Sequence, residues 1–139
     1  MKPSSRSGGL DGYTLDAGAL IALERRSPRM LRLLDQARQG KAEISIPRSV
    51  IAQVWRGGPK QAHLSRLLYA AGTPHPRVAI DELTADRARQ IGRTIGESGH
   101  CDIVDVHVAL LARERGHVII TSDRGDIGKV DPMLPLLQI

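Results

Sequence analysis

The chain has no phenylalanine, one tryptophan and two tyrosines, so aromatic residues make up 2% of its 139 positions. That scarcity argues against an RRM or OB-fold surface, since both hold nucleic acid by stacking bases on aromatic rings. Cys101 is the sole cysteine. An intramolecular disulfide and a multi-cysteine zinc site are therefore excluded, and the usage fits a reducing cytoplasm. No apolar run approaches the ~20 residues needed to span a bilayer. The opening MKPSSRSGGLDG lacks the apolar h-region of a secretory signal. Acidic residues are outnumbered, 15 Asp and Glu against 20 Lys and Arg, giving a formal net charge of +5. Most of the bases are arginine, which suits bidentate phosphate contacts, although arginine-rich codon usage would produce the same bias.

What is present is ordinary for a globular domain: 41% hydrophobic and 25% charged residues. The polar, basic and Gly/Ser-rich composition of residues 1–11 predicts a mobile tail, and the length predicts a single domain over 12–139. Tyr13-Thr14-Leu15 reads as a first strand and Ala17 to Glu24 as an apolar helix. Ser27-Pro28 opens a helix with Met30, Leu33, Leu34 and Ala37 in one stripe, closed at Gly40. Glu43 to Ile46 alternates as a second strand, and Pro47 to Trp55 starts a helix that breaks at Arg56-Gly57-Gly58-Pro59. A further helix carries Leu64, Leu67, Leu68 and Ala71 and ends at Gly72, before a loop at Thr73-Pro74-His75-Pro76. Arg77 to Ile80 reads as a third strand. Thr84 caps a helix running to about Gly96, with Ala88, Ile91 and Ile95 facing inward. Asp102 or a neighbour opens the next helix and Gly116 closes it. Val118 to Thr121 is a strand, Asp123 to Lys129 a turn or short helix, and Leu134 to Leu137 an edge strand that tolerates Pro135. Strands alternating with helices predict an α/β fold, a mainly parallel central sheet covered on both faces.

The candidate chemistry is acidic. Asp16 and Asp123 each end a predicted strand, and parallel strands would bring them to one sheet edge, where open α/β sheets bind ligands. Asp102 and Asp105 stand at i and i+3, on one face near a helix start, where the helix dipole favours their ionised forms. Carboxylates crowded in this way repel one another unless a cation offsets them. Hard oxygen donors suit Mg²⁺ or Mn²⁺, which can drive phosphodiester hydrolysis. Taken singly, Asp102 also reads as a helix cap, Asp123 as a turn residue and Asp16 as a solvated strand end.

Three segments together, Leu15-Asp16-Ala17-Gly18-Ala19-Leu20-Ile21-Ala22-Leu23, Asp105-Val106-His107-Val108-Ala109 and Thr121-Ser122-Asp123, resemble the PIN domain, and within it the VapC-type toxins of bacterial toxin–antitoxin pairs. The resemblance runs from Tyr13 onward. It implies a three-layer α/β/α sandwich, a Mg²⁺- or Mn²⁺-dependent endoribonuclease, homodimers and inhibition by a cognate antitoxin. Asp16, Asp105 and Asp123 match the family's acidic positions. Gln53 departs from the pattern, because the family usually carries an acidic residue there. An amide can ligate but brings no charge, so metal affinity would fall unless Asp102 or Asp126 compensates. The alternative that follows is a weakened or inactive PIN-like domain that binds RNA or an antitoxin without efficient cleavage.

Arg56, Lys60, His63 and Arg66 follow the Gln53 helix, and they read either as RNA phosphate contacts or as a solvated face. Arg124 would offset the charge of its neighbour Asp123, and Asp126 reads as a turn residue or a further acidic contributor. His107 lies off the Asp105 face and reads as a core or interface histidine. Trp55 and Tyr69 read as core or dimer-contact residues. Neither GxxxxGK[ST] nor GxGxxG occurs, and Gly18 stands where a haloacid-dehalogenase-type phosphatase needs a second Asp.

Overall fold

The computed structural model describes residues 11–72 and 77–139. Five strands form one sheet: β1 (Asp11–Leu15), β2 (Ala42–Pro47), β3 (Val78–Asp81), β4 (Val118–Thr121) and β5 (Leu136–Gln138). Their order is β3-β2-β1-β4-β5, and every pairing is parallel. The helices are α1 (Ala17–Glu24), α2 (Pro28–Arg38), α3 (Arg48–Val54), α4 (Ala62–Ala71), α5 (Ala85–Ser98), α6 (Ile103–Arg115) and α7 (Arg124–Val130). Right-handed crossovers put the helices that link β1 to β2 to β3 on one face, and those that link β3 to β4 to β5 on the other. The result is the three-layer α/β/α sandwich expected. The chain winds outward from β1 in one direction, then returns to β4 and winds in the other. The boundary between β1 and β4 is therefore the topological switch point of the sheet.

Local chemistry accounts for most boundaries. Ser27 Oγ caps α2 by accepting from the Met30 amide, with Pro28 at its first position. Thr84 caps α5 through the Arg87 amide. Gly99 and Gly116 end α5 and α6 in the left-handed conformation that glycine adopts without strain. Leu15, Ile44, Ile46 and Ile119 form the buried sheet layer, and Leu20, Leu23, Met30 and Leu64 seal one side of it. Among the described residues no helix is long and apolar enough to cross a membrane.

The structure adjusts several expectations. Asp11 pairs with Ala42 and so belongs to the sheet rather than to the tail. The remainder of the expected tail, 1–10, and the loop at 73–76 lie outside the described residues. The third strand is shifted by one residue and includes Asp81. In α5 the inward positions are Arg87 and Ile91, with Ile95 half-buried and Ala88 exposed. The helix is turned this way because the Arg87 guanidinium has partners inside. Neither Trp55 nor Tyr69 is a core residue, since they are 41% and 77% exposed. Trp55 follows the last residue of α3 in extended backbone, and Tyr69 lies outside the apolar stripe of α4.

Arg87 organises a polar knot under β3. It bonds both carboxylate oxygens of Asp81, at 2.9 and 3.2 Å, and both of Glu114, at 2.8 and 2.7 Å. Asp81 Oδ2 also lies 2.7 Å from His107 Nε2, and His107 Nδ1 lies 2.7 Å from Ser49 Oγ. His107 is thus a fully buried core histidine that joins α6 to α3 and β3. Burial pushes the Asp81 carboxyl up, but hydrogen bonds from Arg87 and His107 outweigh it and hold the group below its usual range. Arg87→Met would strand Asp81 beside a buried imidazole. Removing one partner of a buried ion pair is strongly destabilising, so the loss expected in urea unfolding is about 3–5 kcal/mol. A change within about 0.5 kcal/mol, the range of ordinary surface substitutions, would contradict the role given to the knot.

Candidate active site

The parallel register builds one acidic edge. Leu15 pairs with Ile120, and the Asp16 amide continues the ladder to the Ile120 carbonyl at 3.2 Å. Asp16 therefore leaves β1 directly beside Thr121, at the end of β4, and both stand at the switch point. Asp16 is the N-cap of α1, with Oδ1 accepting from the Ala19 amide at 3.0 Å. Asp123 is the N-cap of α7, with Oδ1 accepting from the Gly125 amide at 2.9 Å. Asp102 caps α6 by accepting from the Val104 and Asp105 amides at 2.8 and 3.0 Å. The cap reading of these residues and the acidic-cluster reading are compatible, since each cap engages Oδ1 and fixes where the carboxylate points. The positive ends of three helices then help to hold the charges.

Electrostatics shows which groups feel one another's charge. Asp16 is raised above the ordinary carboxylate range by burial and by the charge of Asp123. Hydrogen bonds from Thr121 and from the Ala19 and Gly18 amides pull the other way. Asp105 is raised by burial and by Asp102 and Asp126, against a hydrogen bond from His100. Two acidic sets therefore exist, Asp16 with Asp123, and Asp105 with Asp102 and Asp126. The first turn of α7, which holds both Asp123 and Asp126, connects them. Asp126 is exposed and adds to the negative charge felt by Asp105. Gln53 is exposed on α3 and, among the described residues, its side chain makes no hydrogen bond. Arg56 turns its guanidinium to the Trp55 carbonyl at 2.7 Å. Lys60 and Arg66 line a separate groove near the other end of α1.

Among the described residues, no group of three or more His, Cys, Asp or Glu side chains is arranged to hold a metal ion. The donor chemistry nevertheless fits a hard divalent cation. All the principal groups are carboxylates, and two of them are held above their usual range by burial and neighbouring negative charge, a cost that a cation would offset.

Three supporting residues were not assigned from sequence. The Thr121 hydroxyl, fully buried, accepts from the Asp123 amide at 3.0 Å and sits within hydrogen-bonding reach of Asp16. His100 Nε2 lies 3.2 Å from Asp105 Oδ2. Ser122 packs so closely on Gly18 that a Cβ there would lie 2.1 Å from its hydroxyl oxygen and 2.9 Å from its amide nitrogen. That close approach is what lets α1 start against the end of β4.

The PIN domain family model matches residues 13–131. The chain belongs to the PIN domain family. This PIN domain shares its fold with VapBC2 from Rickettsia felis, solved bound to a DNA fragment from its promoter. That likeness has a TM-score of 0.63 and 17% identity, and covers 92% of this chain and 98% of that one. It is similar also to FitAcB from Neisseria gonorrhoeae, with a TM-score of 0.53 and 19% identity over 91% of this chain and 96% of that one. No curated protein sequence matches the chain.

The raised Asp16 group gives a prediction with a definite sign. A carboxyl whose pKa is higher folded than unfolded costs stability when ionised, and the cost disappears as pH falls through the folded value. Asparagine caps helices as well as aspartate does. In EDTA, Asp16→Asn should therefore unfold at higher urea concentration than the parent at pH 7, and the advantage should vanish towards pH 4. A destabilised variant at pH 7 would show that the parent carboxylate is not under electrostatic strain.

Proposed function

We propose that the protein is a Mg²⁺- or Mn²⁺-dependent endoribonuclease of the VapC toxin type, acting in the cytoplasm as a homodimer and restrained by a cognate antitoxin. The observation that carries this reading is the acidic pair Asp16 and Asp123 at the sheet's switch point, with a second acidic set of Asp105, Asp102 and Asp126 linked to it through α7, in a chain with a net charge of +5. The toxin–antitoxin setting is supported by the shared fold with VapBC2 and FitAcB. A basic protein with an acidic edge suits a polyanionic substrate cut at a cation-dependent site.

Asp16, Asp105 and Asp123 would hold the cation, with Asp102 and Asp126 adding negative charge beside Asp105. When bound, the cation supplies charge stabilisation and an activated water for phosphodiester hydrolysis. Thr121 orients Asp16 and the start of α7. His100 fixes one oxygen of Asp105. Of the basic groups expected at RNA phosphates, Arg56 turns to its own backbone, and Lys60 and Arg66 lie in a separate groove near the other end of α1. Gln53 favours a second reading, a weakened nuclease, since it supplies no charge where the family usually has an acid.

Cleavage of purified total RNA with Mg²⁺ or Mn²⁺ tests the proposal. Cutting should require metal, stop in EDTA and fall by at least ~10²-fold, the scale of losing a principal catalytic group, in Asp16→Asn and Asp105→Asn. Gln53→Glu should raise metal affinity and cutting rate. A folded, antitoxin-free protein that cuts no RNA with either metal would overturn the nuclease reading, and rescue by Gln53→Glu would identify the weakened one.

A further inference from the structure

Where α1 ends, the sequence and the local backbone disagree. Ser27 N–H bonds to the Ala22 carbonyl and Arg26 N–H to the Leu23 carbonyl, both at 3.0 Å, which is the Schellman closure of a helix. The residue at its left-handed position is ordinarily glycine. Here it is Arg26, at φ 62°, the one non-glycine residue with positive φ among those described. A side chain there is strained. Strain retained at an exposed arginine points to something the guanidinium does.

Arg26 lines a groove of about 930 Å³ together with Glu24, Arg25, Lys60, His63 and Arg66. Among the described residues, none of Arg25, Arg26, Lys60 or Arg66 forms an ion pair. Arg38, Arg48, Arg77, Arg87, Arg89 and Arg113 all do. The single acid of the groove, Glu24, is occupied by the Gln61 side-chain amide. Gln61 is buried, and its amide nitrogen donates also to the Val54 carbonyl at 2.9 Å. Its Oε1 accepts from the Arg56 and Gly57 amides at 2.9 and 2.8 Å. One side chain thus joins the end of α1, the end of α3 and the start of α4, and ties back the only negative charge. The cations are left facing solvent with a fixed floor beneath them.

We infer that this groove is a second RNA contact, holding phosphates of the single strand whose scissile bond lies at Asp16. The inference rests on the nuclease reading for that bond alone. Asp16 caps α1 and the groove flanks its other end, and the eight residues of α1 span about 12 Å. That is about three to four phosphates at the roughly 3.4 Å axial spacing of a stacked strand. Sugar-phosphate without base readout suits a surface of arginines and lysine that has few aromatic rings.

Binding is measured by fluorescence anisotropy in EDTA, so that no cutting is needed, with a 16-nucleotide labelled RNA and a trinucleotide. Lys60→Glu/Arg66→Glu and Arg25→Glu/Arg26→Glu should each weaken the 16-mer at least ~10-fold. Each should flatten its salt dependence by about 1.4 log units per log unit of salt, as loss of two single-strand phosphate contacts requires. The trinucleotide should be unaffected. Arg38→Glu/Arg89→Glu, an equal charge change elsewhere, should weaken the 16-mer much less. Arg26→Gly separates folding from binding: it should melt at a higher temperature than the parent yet bind the 16-mer more weakly, whereas Arg26→Lys should keep binding. Equal loss in the groove and control variants, unchanged binding by Arg26→Gly, or groove-dependent binding of a decaglutamate peptide in place of RNA would overturn the assignment. Groove-dependent RNA binding without any cleavage would leave this inference standing and defeat the nuclease reading instead.

Discussion

The register of β1 against β4 is the constraint on which the rest depends. The two strands are separated by most of the chain yet lie side by side, with Leu15 opposite Ile120 and the Asp16 amide closing onto the Ile120 carbonyl. A slip of one residue would exchange the two buried faces on which a strand's side chains pack, setting Leu15 or Ile119 against the wrong helix layer. It would also carry Asp16 away from Thr121 and Asp123. Burial of apolar side chains, which dominates folding free energy, is therefore the same interaction that sets the spacing of the acidic edge. Gly18 adds a steric condition, because only a residue without Cβ lets α1 start against Ser122.

Around this edge, capping and charge use the same atoms. Asp16, Asp102 and Asp123 each satisfy helix amides that would otherwise lack a partner. Each is thereby held in place near another carboxylate. The energetic result is a balance: helix N-termini favour the anions, while burial and mutual repulsion raise Asp16 and Asp105. Structure away from the edge is tied down elsewhere. The Arg87 knot holds β3, α5 and α6 together, with His107 reaching α3, and Gln61 does the same for α1, α3 and α4.

Most of the fold was legible from the sequence, because apolar periodicity, Ser27-Pro28, Thr84 and Gly116 are local signals. Asp16 and Asp123 were legible for a related reason: a carboxylate that ends an apolar strand has few structural uses. Asp105 was found through its spacing from Asp102. What escaped the sequence depends on partners distant along the chain. Nothing near Arg87 announces that it would enter α5's inner face in place of Ala88, since its acceptors come from β3 and α6. The pairing of His107 with Asp81, and the four bonds of Gln61, are invisible for the same reason. Trp55 and Tyr69 suggested burial through composition alone; Trp55 falls just past the end of α3, and helix phase puts Tyr69 on the outer face of α4. The strain at Arg26 is a backbone property, and a Glu-Arg-Arg-Ser sequence gives no sign of a left-handed residue.

On the proposed function, Asp16, Asp105 and Asp123 from three separate segments would hold one cation at the end of β1 and β4. Anomalous diffraction from crystals soaked in Mn²⁺ tests it most directly. The account predicts a manganese peak against the carboxylates of Asp16 and Asp123 with Asp105 facing it, absent from crystals of Asp16→Asn. No peak at that edge under saturating Mn²⁺, or an undiminished peak in Asp16→Asn, would contradict it.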